Sequence, residues 1–258
     1  MRHARLARAT AAGVGLGLLL MRTARADPPP APHQPEAPCR GCVLRLPAAA
    51  AWQGARPLVV ALHGDNGTPA QLVELLQGEA ERRGFAVLAL ACPRQLGCDR
   101  RSFWQWGGAP SYITDQVDAL LRGRGGADGS APSSGSARID PQRIYLLAWS
   151  GGASYLTSVM AQLPSRFAAV ALLGGGMPGP QVGACARCPV PVYYLLGERN
   201  PLAALAESAR DALKACGHPL RFVSLPRADH AGEWDALRRG QLATLLTFFG
   251  EHTLSCPP

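Results

Sequence analysis

The sequence predicts an α/β domain built on a mostly parallel sheet. Three observations carry that prediction. Short apolar runs alternate with segments of helical spacing along most of the chain. The apolar runs are continuous, as strands covered on both faces require. A composition of 47% hydrophobic and 17% charged residues over 258 residues supplies a sizeable core. The same composition excludes disorder, collagen and a multi-span membrane protein.

The expected strands are Val43 to Leu46, Leu58 to Leu62, Phe85 to Ala91, Ile144 to Trp149, Ala168 to Leu173, Val192 to Leu196 and Leu220 to Leu225. Between them, helical spacing runs over Pro69 to Arg83, Ile113 to Arg122, Ala153 to Leu163, Leu202 to Ala215 and Trp234 to Phe249. Thr68-Pro69 places a capping hydroxyl before a proline at the first helical position, and Asp140-Pro141 marks a turn into the strand that follows. Gly, Ser and Ala dominate Gly123 to Arg138, the composition of a surface loop. No internal repeat is present.

The amino-terminal 26 residues read as a targeting segment. Three arginines and His3 precede an apolar run from Ala9 to Met21, and Ala24-Arg25-Ala26 has the small-x-small pattern of a cleavage site before Asp27. The run is shorter than the ~20 residues a spanning helix needs, so a stable membrane anchor is not expected. Residues 27–41 form a proline-rich leader, and residues 42–258 the domain, exported to the periplasm or the exterior. Arg2, Arg5, Arg8, Arg22 and Arg25 supply most of the formal net charge of +8, and no acid accompanies them. The rest of the chain is nearly balanced, which gives no support for a nucleic-acid partner.

One motif carries chemistry. Ala148-Trp149-Ser150-Gly151-Gly152 follows a strand and opens a helix. It resembles the G-x-S-x-G nucleophile elbow of the α/β-hydrolase family, with Ala148 in place of the first glycine. The small residues are needed because the serine sits in a strained turn that neighbouring backbone approaches closely. His63-Gly64-Asp65-Asn66-Gly67, just past the strand Leu58 to Leu62, is similar to the family's His-Gly oxyanion motif. That resemblance implies that the backbone N–H groups of Asp65 and Gly151 hold the oxyanion, that His63 braces the loop, and that the Asp65 carboxylate points away from the hole.

The general base is expected at His230, between the strand Leu220 to Leu225 and the last helix, where the family keeps its histidine. His33 lies in the leader, His218 at the other end of the sheet and His252 beyond the last helix. At the third position the family usually shows Gly-x-x-Asp, and this chain has Gly197-Glu198-Arg199-Asn200. Either Asn200, through its carbonyl oxygen, or Glu198 is left to orient the imidazole, whereas Asp229 adjoins the histidine too closely. On the first alternative Asn200→Asp raises turnover and Glu198→Ala leaves it within a few-fold. Trp104, Trp106 and Trp149 are candidates for the wall of a substrate pocket, with core packing an equal alternative for the first two.

The resemblance covers Cys42 to Phe249 and is closest to small secreted esterases of the polyhydroxybutyrate depolymerase, feruloyl esterase and phospholipase/carboxylesterase types. It implies hydrolysis of a small or polymer-derived ester through an acyl-enzyme on Ser150, with no metal or organic cofactor. Two alternatives remain at this point: a binding protein of the same fold with weak or no turnover, because an amide stands at the acid position, and a serine peptidase. All eight cysteines follow the cleavage point, and an even count in an exported chain reads as disulfides. The expected pairs are Cys39 with Cys42, Cys92 with Cys98, Cys185 with Cys188, and Cys216 with Cys256; the rival is a four-thiolate zinc site made from Cys39, Cys42, Cys185 and Cys188.

Overall fold

The computed structural model describes residues 36–48, 54–94, 97–98, 103–104, 110–122, 138–163, 165–179, 185–186 and 188–255. These all fall in the compact unit Gln34–Pro258. The expected signal segment and residues 123–137 of the expected loop from Gly123 to Arg138 lie outside the described residues, as do Trp106 and Cys256.

Seven strands form one sheet: β1 (Val43–Arg45), β2 (Arg56–Leu62), β3 (Ala86–Leu90), β4 (Ile139–Trp149), β5 (Ala169–Leu173), β6 (Val192–Gly197) and β7 (Leu220–Leu225). Their spatial order is β1-β3-β2-β4-β5-β6-β7. Among the described residues only β1 runs antiparallel to its neighbour, and the other five pairings are parallel. This is the mostly parallel α/β sheet that the alternation of apolar runs and helices led one to expect, and it agrees with the fold that the motif resemblance implies. Every residue of β2, β3, β5 and β6 is buried, and apart from Arg56 at the start of β2 none of them is charged, which is how two covered faces show in a sequence.

Helices cover both faces. On one side α1 (Pro69–Arg83) and α6 (Leu242–Gly250) pack on a core that includes Leu76, Tyr145, Tyr193 and Phe249. On the other, α2 (Ser111–Arg122), α3 (Gly151–Val159) and α4 (Ala203–Ala215) close over Leu62, Leu146, Leu172 and Tyr194. Thr68 starts α1 as expected: its hydroxyl accepts from the Gln71 N–H, and the Gln71 side chain accepts from the Thr68 N–H.

Three boundaries differ from the sequence reading. Asp140-Pro141 lies inside β4, at a register irregularity opposite Arg56 to Leu58, with the Asp140 carboxylate accepting from the Gln142 N–H. The helix over Ala153 to Leu163 starts two residues earlier and tightens into a 3₁₀ turn at Met160–Gln162. The single helix over Trp234 to Phe249 is instead α5 (His230–Ala236), a π-type turn (Leu237–Gln241) and α6. Gly240 at φ 129° makes that break, a conformation open to glycine.

Cys39 bridges Cys42 and Cys92 bridges Cys98, with Cα separations of 5.3 and 5.8 Å. The other expected pairs are corrected: Cys185 bridges Cys216 at a Cα separation of 5.1 Å. Cys216 is the C-cap of α4, at the end of the sheet where β6 begins, so the segment leading into β6 passes beside it. Cys188 is also disulfide-bonded. Pairing Cys185 with Cys216 separates the cysteines that a four-thiolate site would have to unite. Among the described residues no helix is long and apolar enough to cross a membrane.

Candidate active site

The chain moves from β2 outward to β3 and then returns to β4 on the other side of β2. The loops leaving β2 and β4 therefore diverge at a topological switch point, where open parallel sheets leave a crevice. His63 to Thr68 leave β2 there and Ser150 leaves β4. They line a cleft of about 640 Å³ together with Trp149, His230 and Trp234.

Ser150 joins β4 to α3 at φ 53° and ψ −118°, with its N–H held by the Leu173 carbonyl at 2.8 Å. For a non-glycine residue such a conformation is costly and persists only where the surroundings enforce it. Small neighbours are part of that enforcement: a Cβ on Gly152 would come within 2.5 Å of the His63 carbonyl oxygen. Ala148, where the family motif has its first glycine, is fully buried at the end of β4.

His230 is brought to Ser150 by α5. Asp229 caps that helix, its carboxylate accepting from the Gly232 N–H at 2.8 Å, so His230 is the first helical residue. Nε2 of His230 lies 2.9 Å from Ser150 Oγ, and Nδ1 lies 2.8 Å from Glu233 Oε2. A carboxylate only accepts, so Nδ1 carries the proton and Nε2 is left to accept from the serine hydroxyl. The indole of Trp149 stacks on the imidazole at 4.6 Å and 10°, and Trp234 meets Trp149 edge-on at 4.9 Å.

Glu233 was not singled out from the sequence. It is fully buried. Besides His230 it accepts from the Gly197 N–H at 2.5 Å and from the Asn200 amide at 2.8 and 2.9 Å. These donors offset the desolvation of a buried carboxylate. Gly174, at φ 61°, gives it room, since a Cβ there would overlap Glu233 Oε2.

The other sequence candidates fall as follows. Asn200 is buried and close to His230, but its amide nitrogen faces the site; its carbonyl oxygen accepts from the Leu202 N–H at 2.8 Å. The carbonyl route to the imidazole is thus corrected. Glu198 is exposed and turned away, accepting from Ser224 Oγ and the Arg227 N–H at 3.2 and 3.3 Å. Trp104 is a core residue: its N–H donates to the His63 carbonyl at 2.9 Å and its ring stacks on Tyr155 at 5.5 Å. Trp149 does line the cleft.

His63 is buried beside Trp104, and its Nδ1–H donates to the Gly64 carbonyl at 2.8 Å. Desolvation holds this imidazole below its ordinary range, outweighing that hydrogen bond. One expectation about the loop is overturned. The Asp65 carboxylate does not turn from Gly151 but lies against it, where a Cβ on that glycine would overlap it. Gly151 is the first residue of α3, and the exposed amino end of a helix attracts negative charge.

No protein-family model matches the chain. It is 29% identical over 157 residues to NocK of Nocardia uniformis subsp. tsuyamanensis, a protein described as a candidate esterase; the match takes in 60% of this chain and 43% of NocK. The chain thus spans less than half the length of that relative. Among solved structures it resembles the esterase PE8, with 18% identity and a TM-score of 0.58, over 81% of this chain and 98% of that one. It also resembles an S-formylglutathione hydrolase from Agrobacterium tumefaciens, at 17% identity and TM-score 0.58, over 81% and 88% of the two chains. A Bacillus cereus carboxylesterase matches at 15% identity and TM-score 0.54, over 81% and 93%. At these identities the likeness is one of fold.

Proposed function

From the α/β-hydrolase fold that the chain adopts, we propose that it is a serine esterase acting on carboxylic esters through an acyl-enzyme on Ser150. The observation that carries this reading is the continuous line from Ser150 Oγ through both ring nitrogens of His230 to a buried carboxylate, Glu233. Ser150 Oγ attacks the ester carbonyl as His230 Nε2 takes its proton. The Asp65 and Gly151 N–H groups receive the oxyanion once the Asp65 carboxylate has swung out of its place against Gly151, and collapse expels the alcohol, which takes the proton from Nε2. Water then repeats the sequence on the acyl-enzyme. Glu233 balances the charge of the imidazolium in both halves and keeps Nε2 aimed at the serine.

The binding-protein alternative rested on an amide at the acid position. With Glu233 on Nδ1 the base has a carboxylate partner, so that ground is absent. Trp149 and Trp234 give the cleft an aromatic wall suited to the acyl or alcohol group of a small ester. We further infer that residues 1–26 direct export and are removed, which agrees with the disulfides of the domain.

Turnover of nitrophenyl esters of increasing acyl length, by the parent and by Ser150→Ala, tests the reading. Hydrolysis by the parent alone is expected. Equal hydrolysis by both, or by neither for every ester, would overturn it.

A further inference from the structure

We propose that Asn200 is the positioning residue for Glu233: an amide at the family's usual acid position holds in place a carboxylate supplied from the next helix. This rests on the reading of Glu233 as the partner of His230.

The hydrogen bonds around Asn200 leave its amide one orientation. Its Oδ1 accepts from the Leu202 N–H at 2.8 Å, so Nδ2 must face inward. There it has two N–H bonds to give. Gly174 O takes one at 3.1 Å, and the two oxygens of Glu233 share the other at 2.8 and 2.9 Å. Nδ2 also comes within 3.2 Å of His230 Nδ1. That contact is no hydrogen bond, because Nδ1 gives its own proton to Glu233. Asn200 and His230 thus present two donors to a single acceptor and fix the carboxylate between them.

Glu233 stands on α5, one turn from the histidine it serves, on a side chain with three rotatable bonds. Without a clamp, such a side chain would hold Oε2 on Nδ1 only part of the time. The Gly197 N–H and the Asn200 amide lock the far oxygen and bridge both, which leaves Oε2 directed at the imidazole. An aspartate in place of Asn200 would put two carboxylates at 2.8 to 2.9 Å, and while both are charged they repel each other and push Oε2 off the imidazole. Among the described residues, the titratable groups near the pair are His230 and Tyr194, whose hydroxyl is occupied by the Gly175 and Ala206 carbonyls. The structure therefore gives Asn200→Asp the opposite sign from the sequence reading: a loss of turnover.

The test compares Asn200→Ala, the isosteric Asn200→Asp and Glu233→Gln on p-nitrophenyl acetate, with the downfield proton resonance of the His230 Nδ1–H as a second readout. Asn200→Ala is expected to lower kcat by about 10- to 100-fold with KM within twofold, and to shift or broaden that resonance. Asn200→Asp is expected to lose turnover most at high pH. Its activity relative to the parent should recover as the pH falls, when the introduced carboxyl group is protonated and can donate in the amide's place. If Glu233→Gln is impaired while both Asn200 variants keep the parent's kcat, resonance and pH profile, the positioning role is overturned and the Glu233 reading stands. If Glu233→Gln matches the parent, the Glu233 reading itself fails.

Discussion

His230 and Glu233 stand one turn apart on α5, with Nδ1 of the first 2.8 Å from Oε2 of the second. The i, i+3 spacing puts base and carboxylate on one helical face, so a single element sets their geometry. In a low-dielectric pocket that carboxylate is the group able to stabilise an imidazolium. Glu233→Gln is therefore expected to lower kcat by as much as about 10⁴-fold, the fall seen when an amide replaces the acid of a catalytic triad. Glu198→Ala, which removes only contacts to Ser224 and Arg227, is expected to stay within a few-fold. Steady-state kinetics of both variants check this, and the reverse pattern would move the acid role to Glu198.

The loop proposed to receive the oxyanion leans on a residue outside the cleft lining. Trp104 donates to the His63 carbonyl from the core, while its ring supports the His63 imidazole. Trp104→Phe keeps the ring and removes the donor, leaving a buried carbonyl unpaired at a cost of about 1 to 3 kcal/mol. The expected result is a lower unfolding midpoint and a several-fold fall in kcat with little change in KM. An unchanged kcat would separate Trp104 from the oxyanion loop.

Stability should fall on mild acidification, for a reason that can be localised. Desolvation is the leading cause holding His63 and His218 below the ordinary imidazole value. Near pH 6.5 the unfolded chain takes up protons at these two sites that the folded chain refuses, so the unfolded state binds more protons. Their contribution is complete above that pH and lost as the pH falls. His218 lies far from Ser150, its Nδ1 3.0 Å from the Val190 carbonyl oxygen and 3.1 Å from the Val190 nitrogen, and can be changed without touching the site. Urea unfolding between pH 7.5 and 5.5 should give a shallower pH slope for His218→Gln than for the parent, and an equal slope would contradict the assignment.

The cysteine pairing is open to direct mapping. Non-reducing digestion should yield a peptide joining Cys185 to Cys216. Recovery of Cys185 with Cys188 would restore the local scheme and contradict the fold around the start of β6.

What the sequence made legible was whatever depends on short stretches of chain. Continuous apolar runs marked the buried strands, Thr68-Pro69 marked the start of α1, and the strand-to-helix setting of Ser150 could be read from five residues. Glu233 escaped because its relation to His230 depends on where α5 begins. Asp229 was weighed as an acid and set aside, whereas its carboxylate caps the helix and starts it four residues before Trp234. Once that cap is recognised, i+3 from His230 is Glu233 and i+4 is Trp234. Gly240 hid the break between α5 and α6 because a lone glycine in a helical pattern is usually tolerated. The Cys185 to Cys216 bridge links residues 31 apart, and eight cysteines allow 105 pairings that no local signal ranks.

The most direct test of the account is to trap the intermediate. p-Nitrophenyl acetate mixed with the parent and with Glu233→Gln, quenched in acid and digested, should leave an acetyl group on the peptide that contains Ser150, and Ser150→Ala should carry none there. A parent that hydrolyses the ester with no acyl group on Ser150 at any quench time, and a Ser150→Ala variant that turns it over equally well, would contradict the account.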